Sequence, residues 1–106
     1  MSYRFMRIIL FFDLPVQSTA DRREYSRFHK FLIKSGYMMM QESVYCHLAL
    51  NATSVASSLA AIRKNKPAEG VVQVLTVTEK QFSKMEYILG DYCGDIINSD
   101  ARLVII

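Results

Sequence analysis

The segment covering residues 5–12 is rich in Ile and Phe, and its unbroken apolar run from Ile8 to Phe12 predicts a buried strand. Leu14-Pro15 ends it, because proline donates no ladder hydrogen bond and restrains the residue before it. Ser18 and Asp21 then stand at capping-box spacing, with Asp in the usual place of Glu or Gln. They open a helix expected over residues 19–35, with Gly36 as its stop. At about 100° per residue, Tyr25, Phe28 and Leu32 share one face of that helix. Arg23, Arg27, Lys30 and Lys34 share the opposite face.

Residues 37–41 and 44–48 read as two strands joined around Glu42-Ser43. Asn51 caps a second helix running to about residue 65, with Val55, Leu59 and Ile62 on its buried face. Pro67 and Gly70 punctuate its end, and residues 71–78 alternate as a strand should. Residues 79–85 suggest a short turn of helix, and Tyr87-Ile88-Leu89 a further short strand. Residues 90–102 are loop-like, and Leu103-Val104-Ile105-Ile106 reads as an extra C-terminal strand. An apolar strand there needs a sheet edge to pair with, on this chain or on a second copy.

The order strand, helix, strand, strand, helix, strand predicts an α+β, ferredoxin-like βαββαβ fold with both helices on one face of an antiparallel sheet. With 106 residues and no repeat or linker, residues 1–106 are expected to form one domain. This fold hosts many unrelated functions, so it names none. No run of about 18 apolar residues occurs, so no membrane-spanning helix is expected. The first apolar stretch runs into Asp13-Leu14-Pro15 without a small-residue cleavage site, which argues against a signal peptide. Cys46 and Cys93 form neither a disulfide framework nor a CxxC pair and fit a reducing cytosol, so a cytoplasmic location is expected. Asn51-Ala52-Thr53 matches a glycosylation sequon, but Asn51 is read here as a helix cap.

A net charge of +3 and a pI near 9.0 permit an anionic partner without demanding one. The Arg23, Arg27, Lys30, Lys34 stripe contains no acidic residue. A solvated helix face and a phosphate-binding surface both have this pattern, and the single sign favours the second. Arg63, Lys64 and Lys66 suit the negative end of the second helix. Asp13, directly after an apolar strand, could coordinate a hard cation such as Mg²⁺ or simply terminate a turn. His29 and His47 lie on different elements without metal-ligand spacing, and Ser43 has no visible His–Asp pair to activate it. Four scattered glycines form no phosphate-cradling loop. Met38-Met39-Met40 reads as core or interface packing.

Phe12-Asp13-Leu14-Pro15 after a strand, Asp21-Arg22-Arg23 opening a helix, and Gln41-Glu42-Ser43-Val44-Tyr45 together resemble the CRISPR-associated protein two family over nearly the whole chain. Phe31-Leu32-Ile33-Lys34 and the run from Met39 to Tyr45 are similar to members accompanying type II-A systems. The resemblance implies a ferredoxin-like homodimer whose last strand extends the partner's sheet. Such a dimer bridges two dimers of the CRISPR integrase, adaptation protein one, and holds duplex DNA for spacer acquisition. It also implies a metal-dependent endonuclease of RNA or DNA with Mg²⁺ at the aspartate that ends the first strand, the position of Asp13 here. The protein is thus expected to be an adaptor holding duplex DNA through Arg23, Arg27, Lys30 and Lys34, or a nuclease in which two copies of Asp13 are catalytic and share the metal. The third expectation is a regulatory module without nucleic acid.

Overall fold

Eight residues of the first strand, β1 (Met6–Asp13), alternate so that Met6, Ile8, Leu10 and Phe12 point to the helices and Arg7, Ile9, Phe11 and Asp13 to the other face. The computed structural model of the protein describes residues 5–90. Around β1 are built α1 (Thr19–Lys34), β2 (Met38–Gln41), β3 (Val44–Ala49), α2 (Ala52–Asn65), β4 (Val71–Thr78) and a short α3 (Glu79–Phe82). The four strands lie in the order β2-β3-β1-β4 and every pairing is antiparallel. This is the ferredoxin-like arrangement expected from the order of elements.

Capping chemistry sets the helix starts. Ser18 Oγ accepts from the Asp21 N–H at 3.0 Å while Asp21 Oδ2 accepts from the Ser18 N–H at 3.2 Å, so the Asp-containing capping box forms. Asn51 Oδ1 accepts from the Ser54 N–H at 2.8 Å and opens α2. Gly36, at φ +94°, follows the end of α1 and donates to Ile33 O at 3.1 Å. A second capping box, Thr78 with Gln81, opens α3.

The core lies between the sheet and the two long helices. Ile8, Leu10, Phe12 and Tyr45 from the sheet meet Phe28 and Leu32 of α1 and Ile62 of α2. Phe12 lies at its centre, stacked on Tyr45 with centroids 5.6 Å apart. The Phe28 and Tyr25 rings meet Phe12 edge-on, each at 5.7 Å. Burying one such side chain contributes about 1.5–3 kcal/mol, and edge-on aromatic pairs add about 0.5–1.5 kcal/mol.

Tyr87-Ile88-Leu89 does not form the expected strand. Ile88 and Leu89 are 89% and 93% exposed and find no strand partner among the described residues, so these two side chains gain nothing by extending. The expected loop beyond Gly90 and the extra strand at residues 103–106 lie outside the described residues.

Candidate functional site

Asp13 is the last residue of β1, exposed, on the sheet face that the two long helices leave open. Three contacts fix that strand end. Val71 pairs with Asp13 on the β4 side. On the β3 side, Ser43 O accepts from the Phe12 N–H at 3.1 Å, and Ser43 itself holds a left-handed φ of 71° in the β2–β3 turn. Ahead of β4, Gly70 lies against the Asp13–Leu14 backbone. Leu14 turns inward and is buried, so the chain leaves the sheet directly after the carboxylate.

Among the described residues no group of three or more His, Cys, Asp or Glu side chains converges as a metal cage. Mg²⁺ does not require one, because it keeps several waters and is commonly held by one or two carboxylates together with substrate phosphates. A rigid, exposed carboxylate at a strand end fits that donor chemistry. Asp13 is the residue of this chain that would hold the ion, which would supply positive charge against a phosphate group.

The open sheet face is apolar. Residues paired across the sheet share a side, so Phe11, Val44, Leu48, Val71 and Leu75 form one surface around the buried Ile9, with Asp13 at its rim. Phe11 and Leu48 are 37% and 38% exposed, and Val71 and Leu75 are each 53% exposed. Toward the other end of this face Arg7 sends its Nε to Glu79 Oε1 at 2.9 Å and a terminal nitrogen to Glu79 Oε2 at 2.8 Å. Its guanidinium carbon sits 4.4 Å from the Phe82 ring centroid. Cys46 beneath it is a buried free thiol, pushed up by burial against the pull of Arg7.

On the far side of the molecule α1 exposes Arg23, Arg27, Lys30 and Lys34, as its periodicity predicts. The four are not equivalent. Arg27 forks onto Glu24 through bonds of 3.1 and 3.0 Å and donates to Asn65 O at 3.1 Å and Lys66 O at 3.3 Å. It therefore ties α1 to the end of α2. Arg23, Lys30 and Lys34 make no ion pair among the described residues. Arg22 is occupied by the carbonyls of Val16 and Gln17 at 3.1 and 3.0 Å.

The structure does not bring the stripe and Asp13 together: they lie on opposite layers, one on the outer helix surface and one on the open sheet face. Both histidines have structural partners. His29 Nδ1 is 2.6 Å from the Tyr45 hydroxyl. The His47 ring stacks on Tyr37 at 4.9 Å, with its Nδ1 3.1 Å from Gly36 O. The left-handed Ser43 and the place of Gly70 beside Asp13 were not anticipated from the sequence. The Glu42-Ser43 turn residues were a signal for the first, and a lone glycine opening a strand was one for the second.

Residues 6–85 match the family model described as CRISPR associated protein Cas2. A protein of Treponema denticola named CRISPR-associated endoribonuclease Cas2 is 54% identical over 101 residues, spanning 95% of this chain and all of that one. A protein of the same name from Streptococcus mutans is 44% identical over 99 residues, covering 93% of this chain and 91% of its own. A solved structure described as "Crystal structure of cas2" superposes with a TM-score of 0.58 at 19% identity, over 83% of this chain and 90% of that one, a likeness of fold. On the matched span and these identities, the chain belongs to the CRISPR-associated protein Cas2 family.

Proposed function

We propose that the protein is a homodimeric nucleic-acid-binding subunit of CRISPR adaptation that works in the cytoplasm. Two copies stack through their open sheet faces, each placing Asp13 at the rim of the joint. The observation that carries this reading is the position of Asp13 beside exposed Phe11 and Val71 on one apolar face. A sheet face of this kind is unstable in water and is covered at little cost by its own copy. Arg23, Lys30 and Lys34 supply backbone contacts to duplex DNA, which give affinity without reading sequence and suit the capture of arbitrary DNA. The partner is the CRISPR integrase, which performs strand transfer while this dimer bridges and holds.

The relatives' shared name favours a second activity, hydrolysis of RNA phosphodiesters. In that reading the paired Asp13 carboxylates hold Mg²⁺, and the chain's own part is to present both carboxylates from rigid strand ends to one phosphate. The two activities can coexist on one dimer.

A reconstituted integration assay with the cognate integrase, run beside a cleavage assay on RNA and DNA in Mg²⁺, tests both. Dimeric Asp13→Ala protein should still support integration and should lose cleavage. Integration that proceeds equally well without the protein removes the adaptor role. Cleavage that survives the substitution removes Asp13 from the hydrolysis.

A further inference from the structure

We propose that Gly70 is a positioning residue for Asp13, one that sets where the carboxylate stands without touching a ligand itself. The inference rests on the reading of Asp13 as the metal-holding residue. Gly70 has φ +104°, a conformation that L side chains rarely adopt. A Cβ added there would stand 2.6 Å from Asp13 O, 2.7 Å from Leu14 Cδ2 and 3.1 Å from Leu14 Cα. Two of those three atoms are backbone, so no rotamer change relieves the collision. The third belongs to a buried side chain.

The relief must therefore come from a backbone shift, either of the strand end or of Gly70, whose neighbour Val71 pairs with Asp13 and carries the shift to it. Leu14 is wedged in the core and Pro15 has a fixed φ, so the chain after Asp13 yields poorly. Asp13 itself is exposed and ends its strand, and it takes up the displacement. In a two-fold dimer the shift occurs in both protomers, so the separation of the two carboxylates changes by both shifts together.

Gly36 provides a matched control. It is also left-handed, at φ +94°, and its added Cβ would meet the His47 ring at 3.1 Å. His47 pairs with Ile8, well down β1 from Asp13. Mn²⁺ binding to the purified dimer, followed by electron paramagnetic resonance with no nucleic acid present, is the readout. Urea midpoints measured in parallel report the loss of stability. Gly70→Ala and Gly36→Ala should both lower the midpoint, but only Gly70→Ala should weaken Mn²⁺ binding, by about tenfold. In Gly70→Ala protein, Asp13→Glu should recover part of the loss because the longer side chain reaches further.

Equal Mn²⁺ affinity in Gly70→Ala and wild type, with Asp13→Asn abolishing binding, overturns the positioning role and leaves the metal reading intact. Mn²⁺ binding that survives Asp13→Asn overturns the metal reading and the inference with it. If Gly70→Ala does not fold, Gly70→Asn tolerates the left-handed backbone better and keeps the Cβ collision, so the same comparison decides.

Discussion

Arg7 in β1 and Glu79 at the start of α3 stand 72 residues apart in the chain and meet through two hydrogen bonds, of 2.9 and 2.8 Å. The fork requires the planar guanidinium, and the same group lies over Phe82. Arg7 thus fastens the short α3 to the open face of the sheet. An isolated helix of four residues has no stability of its own.

Arg7→Lys should therefore cost about 1 kcal/mol, since it keeps the charge and loses both the fork and the stack. The Arg7 hydrogen bonds hold the Glu79 carboxyl below its usual value of 4.5. Its contribution is accordingly present above about pH 4.5 and lost as the pH falls through the depressed value. Urea unfolding of wild type and Arg7→Ala should differ near neutrality and converge in acid. A difference that persists after Glu79 has protonated assigns the effect to the Phe82 ring instead.

Tyr37 and Tyr45 behave in the opposite sense. Burial pushes each hydroxyl up to about 12 from an ordinary 10.0. The folded state then keeps protons that the unfolded chain gives up, so stability is full below pH 10.0 and declines between 10.0 and about 12. Tyrosinate absorbance should rise together with loss of the native circular dichroism for these two residues and earlier for exposed ones. Tyr45→Phe, which removes the 2.6 Å hydrogen bond with His29, should cost about 1 kcal/mol at neutral pH.

The four residues of the basic stripe should separate in two measurements. Charge reversal at Arg23, Lys30 or Lys34 should lower the log–log salt slope of duplex binding by about 0.9 for each phosphate no longer neutralised, with stability unchanged. Arg27→Ala should instead lower the urea midpoint, because it frees the carbonyls of Asn65 and Lys66. A full slope change from Arg27 with no loss of stability would mean that it leaves α2 to meet phosphate.

Phe11 and Phe12 are neighbours on opposite faces of β1 and should fail differently. Phe12→Ala opens a cavity among Tyr25, Phe28 and Tyr45 and should cost about 3–5 kcal/mol of monomer stability. Phe11→Asp should leave the core intact and, by placing charge on the open face, convert the proposed dimer to monomer in sedimentation velocity. A Phe11→Asp protein that remains dimeric moves the interface elsewhere.

Much of this architecture is legible locally. Ser18 and Asp21 cap α1, Asn51 caps α2, and β4 follows its alternation from Val71 to Thr78, because each depends only on nearby residues. Asp13 at a strand end could be read from the Leu14-Pro15 that follows. What could not be read depends on distant chain. Nothing near Arg27 announces carbonyls at Asn65 and Lys66, and nothing near Gly70 announces the Asp13 backbone. Tyr87-Ile88-Leu89 differs from its expectation for the same reason: its composition suits a strand, but Ile88 and Leu89 meet no strand among the described residues.

The central place of β1 has a consequence for how the protein is made. This strand precedes the other three in the chain, yet one of its two edges waits for β4, with Met6 paired to Thr78 and Asp13 to Val71. At about 5–20 residues per second, roughly 3–13 seconds separate the synthesis of Asp13 from that of Thr78. Through that interval the apolar segment at residues 8–12 has at most one neighbour. Sheet closure therefore waits for β4, and nascent chains that stop before Val71 should be the ones that chaperones hold.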